Sequence, residues 1–99
     1  MNNSSWIPFT YRSFYDVPRL IRFSHEGVEY LLDCPFDESL DEYGSHYTLY
    51  RVTLLLGDDD DWESWLSSSE RIGTVRVADV QFDKSLREHI SLDLFRHVT

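Results

Sequence analysis

In the stretch PRLIRFSHEGVEYLLDCPF, residues 18 to 36, side chains alternate on both sides of a short break. Ile21 and Phe23 alternate with Arg22 and Ser24. Val28, Tyr30, Leu32 and Cys34 alternate with Glu29, Leu31 and Asp33. A period of two marks an extended chain, because successive side chains of a strand point to opposite faces. The break, Ser24-His25-Glu26-Gly27, ends in a residue free to adopt the positive φ of a type I turn followed by a G1 bulge. The pattern predicts a β-hairpin with strands near 18–24 and 27–34. Pro35, which has no N–H to donate, ends the second strand.

Further strands are legible around this hairpin. Trp6 to Tyr15 is rich in aromatic residues and reads as a first strand with Pro8 at its edge. HYTLYRVTLLL reads as a strand over 46–56, with Thr48, Tyr50, Val52, Leu54 and Leu56 on one face. Tyr47, Leu49, Arg51, Thr53 and Leu55 occupy the other, so both faces of this strand are expected to be covered. RIGTVRVADVQF supplies a strand over 72–77, with Ile72, Val75 and Val77 as its apolar members. In FDESLDEYGSH, Ser39 and Glu42 have capping-box spacing and Gly44 suits a left-handed C-cap, so one helical turn or a loop is expected. In the tail, Ser85 and Glu88 repeat that spacing, and Leu86, Ile90 and Leu94 fall near a helical stripe; a short helix and an extended arm fit equally well.

The stretch LLLGDDDDWESW poses a sharper question. An EF-hand loop needs acids at positions one, three and five, a glycine at six and a glutamate at twelve. Counted from Asp58, positions five and six are Trp62 and Glu63; counted from Asp59, position six is Ser64. The template fails in both registers. A helix start uses the residues better. Asp60 and Glu63 stand as N-cap and N3, and Asp58, Asp59 and Asp61 lie where the helix dipole favours negative charge. Trp62, Trp65 and Leu66 then share one face, and Ser67 to Ser69 compete for backbone hydrogen bonds and end the helix. A helix over 60–68 would lay both tryptophans on the sheet.

The expected fold is therefore mainly β: a small antiparallel barrel or strongly bent sheet of about five strands with one short helix. An α+β two-layer sandwich is the alternative. With 99 residues there is room for one core, so residues 6–99 form a single globular domain and the polar stretch 1–5, MNNSS, is expected to be disordered. An apolar fraction of 41% suffices to pack such a domain.

Charge narrows the partners. Eighteen acids against nine bases give a net charge of −9. Such a surface repels nucleic acid and anionic lipid, and Arg12, Arg19, Arg22 and Arg51 are too scattered to make a basic stripe. No direct nucleic-acid binding and no membrane association are expected. The longest apolar run, Val52 to Leu56, is far too short to span a bilayer. A single cysteine excludes an internal disulfide and a zinc site of several thiolates. The start of the chain lacks the order of a secretory signal, so a cytoplasmic protein is expected.

For function, the acids concentrate in two connections. Asp37, Glu38, Asp41 and Glu42 crowd one, and Asp58, Asp59 and Asp61 crowd the other. They lie at opposite ends of the 46–56 strand, about 30 Å apart at the usual rise per residue, so they form two patches. These seven residues are the candidate partner-binding set. The leading expectation is a non-catalytic protein-interaction module with acidic loops, an inhibitor or regulator of a partner with a basic surface. One alternative is a small enzyme or metal-binding domain centred on Cys34 and His46, which strands 27–34 and 46–56 would bring near each other if they pair. Against it, Cys34 shares the inward alternation of Val28, Tyr30 and Leu32 and reads as a core residue. The histidines lack close ligand spacing and no glycine-rich phosphate loop exists, so no catalytic residue, metal or cofactor is expected. A structural homo-oligomer joined through aromatic faces is the remaining alternative; the sequence leaves the oligomeric state open.

Overall fold

The computed structural model describes residues 6–53 and 62–99. The hairpin at 18–34 forms its centre. Strands β1 (Trp6–Pro8), β2 (Thr10–Tyr15), β3 (Val17–His25), β4 (Val28–Asp33), β5 (Phe36–Asp37), β6 (Glu42–Tyr43) and β7 (His46–Arg51) precede helix α1 (Trp62–Ser68). Strands β8 (Glu70–Arg76) and β9 (His89–Ser91) follow it, and a 3-10 turn, Leu92–Arg96, lies near the end. Five strands make one antiparallel sheet in the order β2-β3-β4-β7-β8. The mainly β expectation with one short helix holds. The sheet does not close into a barrel, because β2 and β8 stay at opposite edges. No helix among the described residues is long and apolar enough to cross a membrane.

The hairpin turn is tighter than expected. His25 pairs with Val28, which leaves Glu26 and Gly27 as a two-residue loop, with φ of 54° and 80°. Positive φ at both central residues is the type I′ pattern, whose twist matches that of the strands it joins. It replaces the expected type I turn and G1 bulge.

Neighbours Leu31 and Leu32 are both fully buried. Adjacent residues of a strand face opposite ways, so each face of the sheet must carry its own apolar layer. On one face Ile21, Leu32 and Leu49 lie in a row across β3, β4 and β7, joined by Phe23, Cys34, Tyr47 and Val75. Phe9, Val80, Ile90 and Leu94 cover that row. On the other face Leu31 packs against Trp62 and Trp65 of α1, with Leu20, Tyr50, Val52 and Leu66 at the margin. Helix α1 thus lays both tryptophans on the sheet, and β7 is covered on both sides, as its pattern requires. Serines end the helix by taking over its last carbonyls: Ser67 and Ser68 hydroxyls donate to Ser64 O at 2.8 and 3.2 Å, and Ser69 donates to Trp65 O at 2.6 Å. The expected N-terminal cap at Asp60, like the rest of the aspartate run, lies outside the described residues, as do residues 1–5 and the 54–56 end of the 46–56 strand.

Several segments depart from the sequence reading. The single strand expected over Trp6–Tyr15 is two strands in different sheets. Phe9 drops into the core between them, its N–H donating to Glu88 O at 3.0 Å, while β1 pairs with β9 and β2 with β3. The strand expected over 72–77 starts at Glu70 and contains a bulge. Gly73 faces Leu49 and Arg71 faces Tyr50, so Ile72 is the extra residue and is 43% exposed, and the strand ends at Arg76, with Val77 opening a 3-10 turn. The tail is part extended and part helical: Leu86 adopts φ 61°, which breaks any helix there, and Ser85 Oγ accepts from Arg87 N instead of capping one, while β9 is extended and Leu92–Arg96 forms the 3-10 turn. Ile90 and Leu94 are nonetheless buried. FDESLDEYGSH forms the small β5–β6 hairpin, with Phe36 opposite Tyr43 and Asp37 opposite Glu42. Ser39 caps no helix, because Asp37 Oδ1 accepts from both its N–H (3.0 Å) and its hydroxyl (2.6 Å). The left-handed residue there is Asp41, at φ 55°, not Gly44.

Candidate functional site

Of the seven acids in the candidate partner-binding set, Asp37, Glu38, Asp41 and Glu42 are described, all on the β5–β6 hairpin; Asp58, Asp59 and Asp61 lie outside the described residues. The local chemistry explains why this sequence turns so sharply. Asp37 and Ser39 make an Asx-type turn, Leu40 N donates to Asp37 O at 3.2 Å, and an aspartate takes the left-handed position more readily than most non-glycine residues. The Ser39 hydroxyl, opposed by burial and helped by the Ser39 and Leu40 N–H groups, holds the Asp37 carboxyl below its usual range. Glu38, Asp41 and Glu42 are exposed.

The hairpin carries aromatic residues as well as acids. Phe36 and Tyr43 meet edge to face, with ring centroids 5.2 Å apart. Tyr15, at the end of β2, stacks on Tyr43 at 5.4 Å with 24° between the planes. Arg19 ties the group together. Its Nε donates to Tyr15 O at 2.9 Å, its guanidinium lies 4.5 Å from the Tyr43 ring centroid, and its Nη1 reaches Cys34 Sγ at 3.4 Å. Tyr15, Phe36, Asp41, Glu42 and Tyr43 line one concavity of about 400 Å³. The acids were legible in the sequence and the aromatic wall was not, since Tyr15 reaches it from a distant strand.

Cys34 and His46 occupy different settings. Strands β4 and β7 do pair, with Asp33 opposite Thr48. Cys34 is 1% exposed and its thiol donates to Gly44 O at 3.3 Å. His46 is exposed, exchanges a hydrogen bond with Ser45 Oγ at 2.9 Å, and lines a separate cleft with Arg76, Asp79 and His97. Among the described residues no hydrogen bond joins Cys34 to His46. Tyr47, next to His46 in the chain, is fully buried and its hydroxyl donates to Pro18 O at 2.6 Å. Burial pushes its phenol well above the ordinary value, with nearby Arg19 opposing. Such a packed setting predicts an inert thiol. Native Cys34 should react with a thiol reagent at least about 100-fold more slowly than the unfolded chain, as expected for a group released only by opening of the structure. Native labelling at the unfolded rate at neutral pH would favour the Cys34-centred reading instead.

A second cluster escaped the sequence reading because it depends on the turn at Leu86. Donor atoms of Asp83, Glu88 and His89 lie within 4.8 Å of one another, near enough for a divalent cation. Asp83 is already engaged, accepting from His89 Nδ1 at 3.1 Å and Ser85 Oγ at 2.9 Å. Burial raises its carboxyl, but these hydrogen bonds outweigh that and leave it below its usual range.

No family model, curated protein or solved structure matches the chain.

Proposed function

We propose that this protein is a non-catalytic interaction module that binds a partner with a basic surface through the β5–β6 hairpin. One observation carries this reading. Asp37, Glu38, Asp41 and Glu42 sit on a short turn beside Tyr15 and Phe36, which are 60% and 45% exposed. Scattered exposed apolar residues are ordinary on a protein surface. Large ones gathered around a concavity and rimmed by charge mark interaction sites. Leu40, 63% exposed, belongs to the same hairpin, so three of the five large apolar side chains exposed among the described residues lie here. Four acids in one turn would attract a basic partner at long range and make association salt-dependent.

The test neutralises the hairpin without reshaping it. Asp37→Asn keeps the acceptor that Ser39 uses, and Asp41→Asn keeps a side chain that tolerates positive φ. With Glu38→Gln and Glu42→Gln they remove four charges. A hexa-arginine peptide titrated into isotopically labelled protein at low salt should shift the amides of residues 36–43. The quadruple variant should bind about tenfold more weakly, and the difference should shrink as salt rises. A control variant, Glu26→Gln with Glu88→Gln, should bind like wild type. Equal weakening per charge removed, four in the hairpin variant and two in the control, would mean that diffuse charge alone attracts the peptide, and the proposal would fall.

A further inference from the structure

We infer that the concavity between Tyr15, Phe36 and Tyr43 is a receptor for one arginine side chain of the basic partner, with Asp41 and Glu42 as its counter-charges. This inference rests on the acidic-hairpin reading and specifies its central contact. Three observations support it. First, the cavity combines aromatic and carboxylate surface: three of its five lining residues are aromatic and the other two are acids. A neutral apolar ligand would leave Asp41 and Glu42 unanswered, and a small anion would be repelled. A cation with a flat apolar face meets both requirements. Second, the same aromatic group already binds a guanidinium within the chain, since Arg19 lies 4.5 Å from the Tyr43 centroid. With Tyr43 engaged by Arg19, the open aromatic surface is that of Tyr15 and Phe36. Third, the shape of the wall favours a plane over a sphere. Tyr15 stacks one face on Tyr43, 24° from parallel, yet stays 60% exposed, so it offers a ligand an open flat platform rather than a closed cage. A planar guanidinium can stack on such a platform and present its fork of N–H donors edgewise to a carboxylate, whereas an ammonium is a compact point charge that gains less from it.

The positive charge of Arg19 opposes a second cation at short range. Against it stand the four hairpin acids and Asp16, which follows Tyr15 directly in the chain. The local balance stays negative, and Arg19 acts as the brace that holds Tyr15 and Tyr43 in place.

The closing experiment separates the cavity from the charge. Two peptides, acetyl-Gly-Gly-Arg-Gly-Gly-amide and its lysine counterpart, are titrated into labelled protein and followed by amide shifts. The arginine peptide should give saturable shifts at Tyr15, Phe36, Asp41 and Tyr43, with affinity about threefold or more above the lysine peptide. Phe36→Leu keeps an apolar contact for Tyr43 and removes the ring; Tyr15→Ser removes the platform. Each keeps every charge, and each should weaken the arginine peptide about three- to fivefold, while an unchanged shift pattern elsewhere shows that the fold survives. If both variants bind the arginine peptide like wild type while the quadruple charge variant loses hexa-arginine, the receptor is refuted and the acidic-hairpin reading stands. If neither aromatic nor charge variants matter, both fall. Equal affinity for lysine overturns the guanidinium assignment. A wild type that sediments as a dimer, and as a monomer after Phe36→Leu, would assign the patch to a second copy of the chain instead.

Discussion

Trp65→Ala is expected to lower the unfolding free energy by about 3–5 kcal/mol, the range for removing a large aromatic side chain from a packed interior. Trp65 is fully buried and fills the space between α1 and the sheet, against Leu31 and Trp62. The Arg22 guanidinium lies 4.4 Å from its ring centroid, so truncation also strips a strand residue of a cation–π partner. The effect should spread beyond a local cavity. A helix of seven residues has little stability of its own, and α1 persists because its two tryptophans are docked. Against about 5–15 kcal/mol of total stability in a typical domain, that loss is a large fraction of the whole. Denaturant melts measure the loss. Trp6→Ala serves as the comparison: Trp6 is 42% exposed and should cost clearly less than Trp65→Ala. A Trp65→Ala loss as small as that of Trp6→Ala would show that α1 does not hold this face of the sheet.

The same packing explains what the sequence could and could not reveal. Alternation over residues 18–34 encodes which residues share a face, and it located β3 and β4 within a residue or two. It also placed Leu31 on the face opposite Leu32, which demands a cover, and the spacing of Trp62, Trp65 and Leu66 supplied one. Period alone fails where the phase changes. Ile72 is turned outward by a bulge that exists only in the pairing of β8 with β7, and Phe9 enters the core because the chain changes sheets after Pro8. Both depend on contacts between distant segments. The candidate site divides in the same way. The acids at 37–42 are a local concentration of charge, readable without a fold. Tyr15 joins Phe36 and Tyr43 only because β2 ends beside the β5–β6 hairpin, and no local pattern announces that meeting.

Gly73→Ala should be nearly as damaging as a core truncation, for the opposite reason. Gly73 is buried in β8 opposite Leu49. A Cβ placed there would lie 2.5 Å from Thr99 O and 2.8 Å from Val98 Cγ1. A side-chain atom such as Val98 Cγ1 can swing aside, but Thr99 O belongs to the backbone. That backbone is held by two hydrogen bonds, Thr74 N to Thr99 O at 2.9 Å and Thr99 N to Thr74 O at 2.8 Å. Relief of the clash therefore requires either a shift of β8 against β7 or release of the segment that carries Val98 and Thr99. Overpacking of this kind costs about 1–3 kcal/mol. Releasing the segment adds the two hydrogen bonds, each worth about 1 kcal/mol net, and the packing of Val98 against the main core. Release of the segment predicts a specific pattern in hydrogen exchange. The Thr74 and Thr99 amides should lose protection, while the amides of β3 and β4 and those of α1 keep theirs relative to global stability. Uniform loss of protection across the sheet would point instead to a shift of β8. A variant within about 0.5 kcal/mol of wild type, the range of an ordinary surface substitution, and with Thr74 still protected would mean that this backbone approach is looser than its geometry implies.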